Sequence, residues 1–341
     1  MHTKTNLYII FREQLLLLVI VISYIVAGYF IQYILDIYKM MNLKFSYKIL
    51  NTFAIYFSII FLNIQILRKD LNKYLNLRSV CGVILVIILA APFISAFSSF
   101  KQAIPIIQDF TWDYTFMKLD YMLHFGHHPW KIFSFLLTHK GIIRLIDFLY
   151  MLWFPTLFLS CMWMGWSSRR QLRFQFFTCA CLTWILLGTL LAAFLSSAGP
   201  CYYSVVTDSH LNPYEPLMTQ LMKIHESVPL FAVRNQVGLW EAYQKHIWLP
   251  FGGISAMPSL HVAIAVLIAI VGWRANVWAG ILLTIYAAVI QIGSIILAWH
   301  YAIDGYMSTL LIILLWKTVG KMPFFKLDGE TYLVDNQADF H

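Results

Sequence analysis

Charge is scarce in this sequence. Asp, Glu, Lys and Arg together make up 12% of its 341 residues, about half the ~25% usual for a globular domain. So few charges exclude an ordinary soluble fold. The motifs of common soluble enzymes are missing too. No Gly-rich nucleotide loop, Walker sequence, Cys-x-x-Cys pair or Gly-x-Ser-x-Gly elbow occurs, which removes nucleotide-binding, dithiol and serine-hydrolase readings. His210, His225 and His246 are spread without a ligand spacing, and His124, His127 and His128 lie on an aromatic stretch suited to lipid headgroups. No metal and no cofactor is therefore expected. Cys81, Cys161, Cys179 and Cys181 fall in apolar runs and Cys201 alone in a polar loop, so a disulfide framework is excluded. Internal repeats and low-complexity tracts are absent. The net charge of +8 sits in short clusters between apolar runs, a pattern that orients membrane segments and does not suggest nucleic acid as a partner.

Apolar sequence fills the space that charge leaves. Hydrophobic residues reach 60% and mean hydropathy is +0.70, with repeated runs long enough to cross a bilayer as helices. The fold class expected is an all-α, polytopic integral membrane protein. Eight spans are predicted, at roughly 13–35, 47–67, 80–100, 142–166, 174–196, 256–273, 277–297 and 299–317. The first carries Lys4 and Arg12 ahead of it but no clear cleavage site, so it reads as a retained helix. Residues 1–79 form N-terminal helices, 80–320 a catalytic membrane domain, and 321–341 a polar tail. Arg68, Lys69, Lys73 and Arg78, then Arg169, Arg170 and Arg173, then Arg274, then Lys317, Lys321 and Lys326 all fall on one side if the spans alternate. Short cationic loops belong in the cytoplasm. Both termini are then cytoplasmic, and the longer segments 101–141 and 197–255 face outward. The oligomeric state is left open.

Two clusters stand out against this background. Pro258-Ser259-Leu260-His261 opens one apolar run, and His300-Tyr301-Ala302-Ile303-Asp304 opens another. The chain between them is long enough to cross the membrane and return, so both clusters lie at one face. Pro258 suits the first helical position, and a helix start offers free N–H groups to an anion such as phosphate. Ser259 can add a hydroxyl. His300 and Asp304 are four apart, so one face of a helix brings them together, and the carboxylate can hold one ring nitrogen. The spans are otherwise almost free of ionisable groups, Asp147 being the nearest exception. A transporter or scaffold on the same helices is the alternative reading, but a transport path would carry more intramembrane charge.

The pattern P-S-x-H, then about 40 residues, then H-x-x-x-D resembles the type 2 phosphatidic acid phosphatase superfamily. The resemblance implies a six-helix catalytic core in which His300 attacks phosphorus, Asp304 orients it, and His261 protonates the leaving group. Its implied substrate is a phospholipid or polyprenyl phosphate. No metal is required, because imidazole is both a good nucleophile and a good leaving group. This sequence departs from the phosphatase branch in two places. Ser294 stands where that branch has an arginine, six residues before the nucleophilic histidine, and no Lys-x6-Arg-Pro occurs. Met257-Pro258-Ser259-Leu260-His261-Val262-Ala263 and His300-Tyr301-x-x-Asp304 are closer to the inositol phosphorylceramide synthase branch, and sphingomyelin synthases share the second form. Weaker similarity covers Leu119-Asp120 to Pro129-Trp130 and Gly199-Pro200. Phosphate still needs positive charge around it. Arg234 is the first candidate to supply it and Lys245 the second.

Overall fold

In lipid, every backbone N–H and C=O must find a partner inside the protein, and a helix provides them within one segment. The computed structural model describes residues 2–35, 77–167, 169–207, 211–249 and 252–322, with scattered helical residues between 55 and 65. Helix is the dominant structure, and no strand occurs among the described residues. In chain order come α1 (His2–Ile34), α2 (Leu77–Ile107) and the short α3 (Asp113–Leu123). Next are α4 (Lys140–Met151), α5 (Trp153–Trp166) and α6 (Arg170–Leu182), the last running into a π-helical stretch, Thr183–Leu191. Then follow α7 (Glu215–Ser227) and α8 (Phe231–Gln244), whose Leu217, Leu221, Ala232 and Val233 are buried in the common core. The chain returns through α9 (Leu260–Ala275), α10 (Val277–Ile296) and α11 (Ala302–Lys321).

Six stretches are long and apolar enough to cross a membrane: Leu15–Ile34, Val80–Ile107, Lys140–Trp166, Arg170–Phe194, Val277–Ile296 and Ala302–Lys321. The sixteen-residue α9 is apolar but shorter. The second of the eight expected spans, 47–67, lies mostly outside the described residues. The membrane-helix character of the chain is thus plain, with six such spans among the described residues where eight were expected.

Several boundaries move for identifiable reasons. The run expected at 142–166 is two helices broken at Leu152. Pro155 supplies no N–H and would crowd the carbonyl of Met151, so the first helix stops there. Helix α2 continues past the expected end at residue 100 to Ile107, which puts Lys101 inside that helix and not at the start of the outward segment 101–141. Pro258 was expected at the first helical position. Instead Ser259 is the N-cap, its Oγ accepting from the Val262 N–H at 3.4 Å, and the helix starts at Leu260.

Helix α9 is the centre of the bundle. It forms a tight hairpin with α10 and packs also on α5, α6 and α11. Asn276 makes the hairpin possible by capping α10, its Oδ1 taking the Ala279 N–H at 2.8 Å. Helix α1 lies along α2, with Tyr24 against Phe93 and Phe100 at ring distances of 5.0 Å each. Two buried polar contacts fix it there. The Tyr24 hydroxyl bonds to Thr189 Oγ1 at 2.7 Å, and Gln32 Nε2 donates to Ser99 Oγ.

Candidate active site

The α9–α10 hairpin returns the chain to the end at which α9 began, and there the two histidines meet. His261 is the second residue of α9. Its ring lies 4.8 Å from Tyr150, stacked, and 4.4 Å from Trp153, while the Trp153 indole N–H donates to the His261 carbonyl at 2.9 Å. The break between α4 and α5 places both aromatic rings. His300 faces His261 with ring centroids 6.1 Å apart.

His300 is held by two helix ends. The C-terminus of α10 is closed by the Ser294 carbonyl, which accepts the N–H groups of Trp299 at 2.9 Å and His300 at 3.0 Å. Ser294 is fully buried in that turn, so the phosphatase-branch arginine has no space at this position. On the other side, α11 begins with Tyr301 as its N-cap. Asp304 reaches back to it, its Oδ2 accepting the Tyr301 N–H at 3.0 Å and meeting His300 Nδ1 at 3.2 Å. His300 therefore precedes the helix. The pair meets because Asp304 caps α11, and not through adjacent turns of one helix face as the spacing predicts. The functional consequence is the same. A carboxylate only accepts, so Nδ1 carries the proton and Nε2 is the basic nitrogen.

His300 is 6% exposed and Asp304 is fully buried. Burial pushes the His300 imidazole well below its ordinary range. The Lys101 ammonium adds to that, and a backbone contact at Ala256 opposes it. The neutral, nucleophilic form is favoured.

The sequence reading did not single out Lys101. It lines the same cavity as His261 and His300 and is the cation whose charge acts on the His300 ring. Gly253, at φ 112°, lets the loop before α9 pass directly over it. A Cβ there would come within 2.8 Å of Lys101 Cγ. The signal was the length of α2, since the residues that line the cavity continue along one helix face to position 101. Of the cations expected, Arg234 also lines this cavity, with its guanidinium 5.5 Å from the Phe231 ring. Lys245 does not line it, and pairs at 3.6 Å with Glu241 on an exposed surface. Ser259 is fully buried, caps α9 and does not line the cavity.

Three buried aspartates brace the site. Asp113 accepts the N–H groups of Ala198 and Gly199, both at 2.8 Å, and the Tyr301 hydroxyl at 2.7 Å. Asp120 accepts from Ala302 at 2.7 Å and Ile303 at 2.9 Å, at the start of α11. Asp147 does the same for α8, taking Phe231 at 2.6 Å and Ala232 at 2.9 Å. Burial raises Asp120 to about 7 against the pull of its two N–H donors. Asp113 is raised for the same reason.

Residues 114–317, more than half of the chain, match the family model described as PAP2 superfamily. The chain belongs to the PAP2 superfamily. None of the curated proteins and none of the solved structures compared with it matches. The PAP2 match contains His261, His300, Asp304, Arg234 and Lys245 but starts after α1 and α2. Lys101 and Asp113 precede it.

Proposed function

We propose that this PAP2 protein is an integral-membrane lipid phosphatase or phosphotransferase working through a phosphohistidine. The observation that carries this is that His261 and His300, the latter held by Asp304, line one end of a cavity that also takes in Lys101 and Arg234. His300 Nε2 attacks phosphorus, forming an N–P bond as the P–O bond to the leaving lipid oxygen breaks. His261 gives that oxygen its proton. Water or a lipid hydroxyl then attacks phosphorus, His261 takes the attacking proton, and the N–P bond breaks to free His300. Asp304 holds the Nδ1 proton and offsets the charge that develops on the ring. Lys101 and Arg234 supply the positive field that the phosphoryl oxygens need.

Transfer to a lipid alcohol, as in the inositol phosphorylceramide synthase branch, ranks above hydrolysis. The His-Tyr-x-x-Asp form and the absence of the phosphatase-branch cations support it. The substrate is a phospholipid or polyprenyl phosphate, reached from the membrane. The short cationic turns support an active site facing the periplasm or lumen, in the inner membrane if the source is bacterial.

The test is to trap the acid-labile, base-stable adduct on protein given a labelled lipid, with and without ceramide, diacylglycerol or polyprenol as acceptor. The adduct is expected in the native protein and absent from His300→Gln. Asp304→Asn is expected to lose up to ~10⁴-fold in rate. Persistence of the adduct in His300→Gln with its loss in His261→Gln would exchange the two roles. A fully active His300→Gln protein removes the reading.

A further inference from the structure

The site is one end of a larger space. A cavity of about 940 Å³ begins at Lys101, His261 and His300 and continues between α1, α2, α5 and α6 to Arg170 and Arg173 at the far end of the bundle. On α2 its walls include Gly82, Val86, Leu89, Phe93, Phe97 and Lys101. These recur at intervals of three and four, so they form one stripe along the helix. Nineteen residues separate the first from the last, a rise of ~28 Å. The space is therefore a channel running along α2 and not a pocket at its end. Apart from the groups at its two ends, its walls are mostly apolar.

Leu17, Leu18 and Val21 of α1, together with Tyr56, form another wall, and α1 is held in place by the Tyr24–Thr189 and Gln32–Ser99 bonds. Both α1 and α2 precede the segment that matches the PAP2 family model. Two helices outside the matched segment thus flank a passage leading to the two histidines. One leaflet of a bilayer is only ~15 Å deep, half of a ~30 Å hydrocarbon core. The channel is nearly twice that.

We infer that the channel takes the tail of the phosphoester substrate, and that this tail is a single apolar chain longer than one leaflet. The inference rests on the phosphoryl-transfer reading, because the histidines and Lys101 say which end holds the phosphate. An ordinary diacyl lipid carries two chains, each matched to one leaflet, and would leave the far half of the channel empty. A single long chain fills it and brings its phosphate to Lys101. The protein then measures chain length.

The experiment uses purified full-length protein in detergent, with ceramide or diacylglycerol present as an alcohol acceptor beside water, and follows loss of the starting phosphate ester. Substrates are single-chain alkyl phosphates of increasing length, a long prenyl phosphate and a diacyl phosphatidate. kcat/KM is expected to climb with length beyond one leaflet. Leu89→Trp, midway along the channel, is expected to lower the long-to-short ratio about tenfold, since pocket contacts of this kind discriminate by ~10-fold or more. Ile84→Trp, on the outward face of α2 and 47% exposed, is expected to leave the ratio unchanged. An unchanged ratio in Leu89→Trp, or preference for the diacyl lipid, overturns the inference. A second measurement needs no variant. A long-chain phosphonate with a diazirine at its tail should crosslink to Val86 or Phe174. Crosslinks confined to the outward Leu282 and Ile285 overturn it as well. Absence of turnover on every substrate would instead remove the phosphoryl-transfer reading, and the crosslink would still decide the channel.

Discussion

A lysine near the end of a long apolar helix is costly unless something needs its charge. Lys101 lines the same cavity as the two histidines, and phosphate would use it. Its removal should be felt twice. Lys101→Met is expected to lower kcat/KM by ~10²–10³-fold, as loss of one preorganised electrostatic contact does. It should also change the pH profile. Burial and the Lys101 charge both hold His300 below the ~6.5 of a free imidazole. The neutral form, which the proposed mechanism requires, therefore survives as pH falls through the ordinary histidine range and is lost only below it. Without Lys101 the imidazolium is less disfavoured, the His300 pKa rises, and the acid limb of kcat/KM should move to higher pH. A midpoint that stays put or moves down would show that Lys101 is not near the reacting ring.

Among the elements, helix starts receive carboxylates from elsewhere in the chain. Asp147 holds the first two N–H groups of α8, and Arg234 follows within the same turn. Asp147→Ala leaves those donors unpaired, at ~1–3 kcal/mol, and loosens the turn that carries Arg234. KM should rise severalfold with a smaller change in kcat, and the melting temperature in detergent should fall. An unchanged KM would detach Arg234 from substrate binding. These roles also show what could be read in advance. The apolar runs, and the shared end of His261 and His300, follow from helix rise and bilayer thickness, which depend only on spacing. The meaning of Asp147 and Lys101 does not, because their partners lie 84 or more residues away and only packing brings them together. Asp304 falls between these cases. Its distance from His300 in the chain was informative, yet the contact arises through an N-cap that the i, i+4 rule does not describe.

At the scale of the whole molecule, cations gather at the end opposite the histidines. Arg169 Nη1 donates to the Arg274 carbonyl at 2.5 Å, joining two of the short turns read as cytoplasmic. Single cysteines placed in a cysteine-free background test that orientation. A cysteine at Asn212 should react with an impermeant reagent in intact cells and one at Gln171 should not. The reverse result inverts the protein. The two aspartates that clasp the start of α11 have a further consequence, one that concerns synthesis. Asp113 waits for the Tyr301 hydroxyl 188 residues later, and Asp120 for the Ala302 N–H 182 residues later. Such distant pairings form late and slowly. As the chain leaves the ribosome, His261 enters the bilayer while His300, the proposed nucleophile, and its clasp are still unmade. On the proposed mechanism an unfinished chain is therefore inert toward the lipids around it, and reactivity arrives only when the last helix docks.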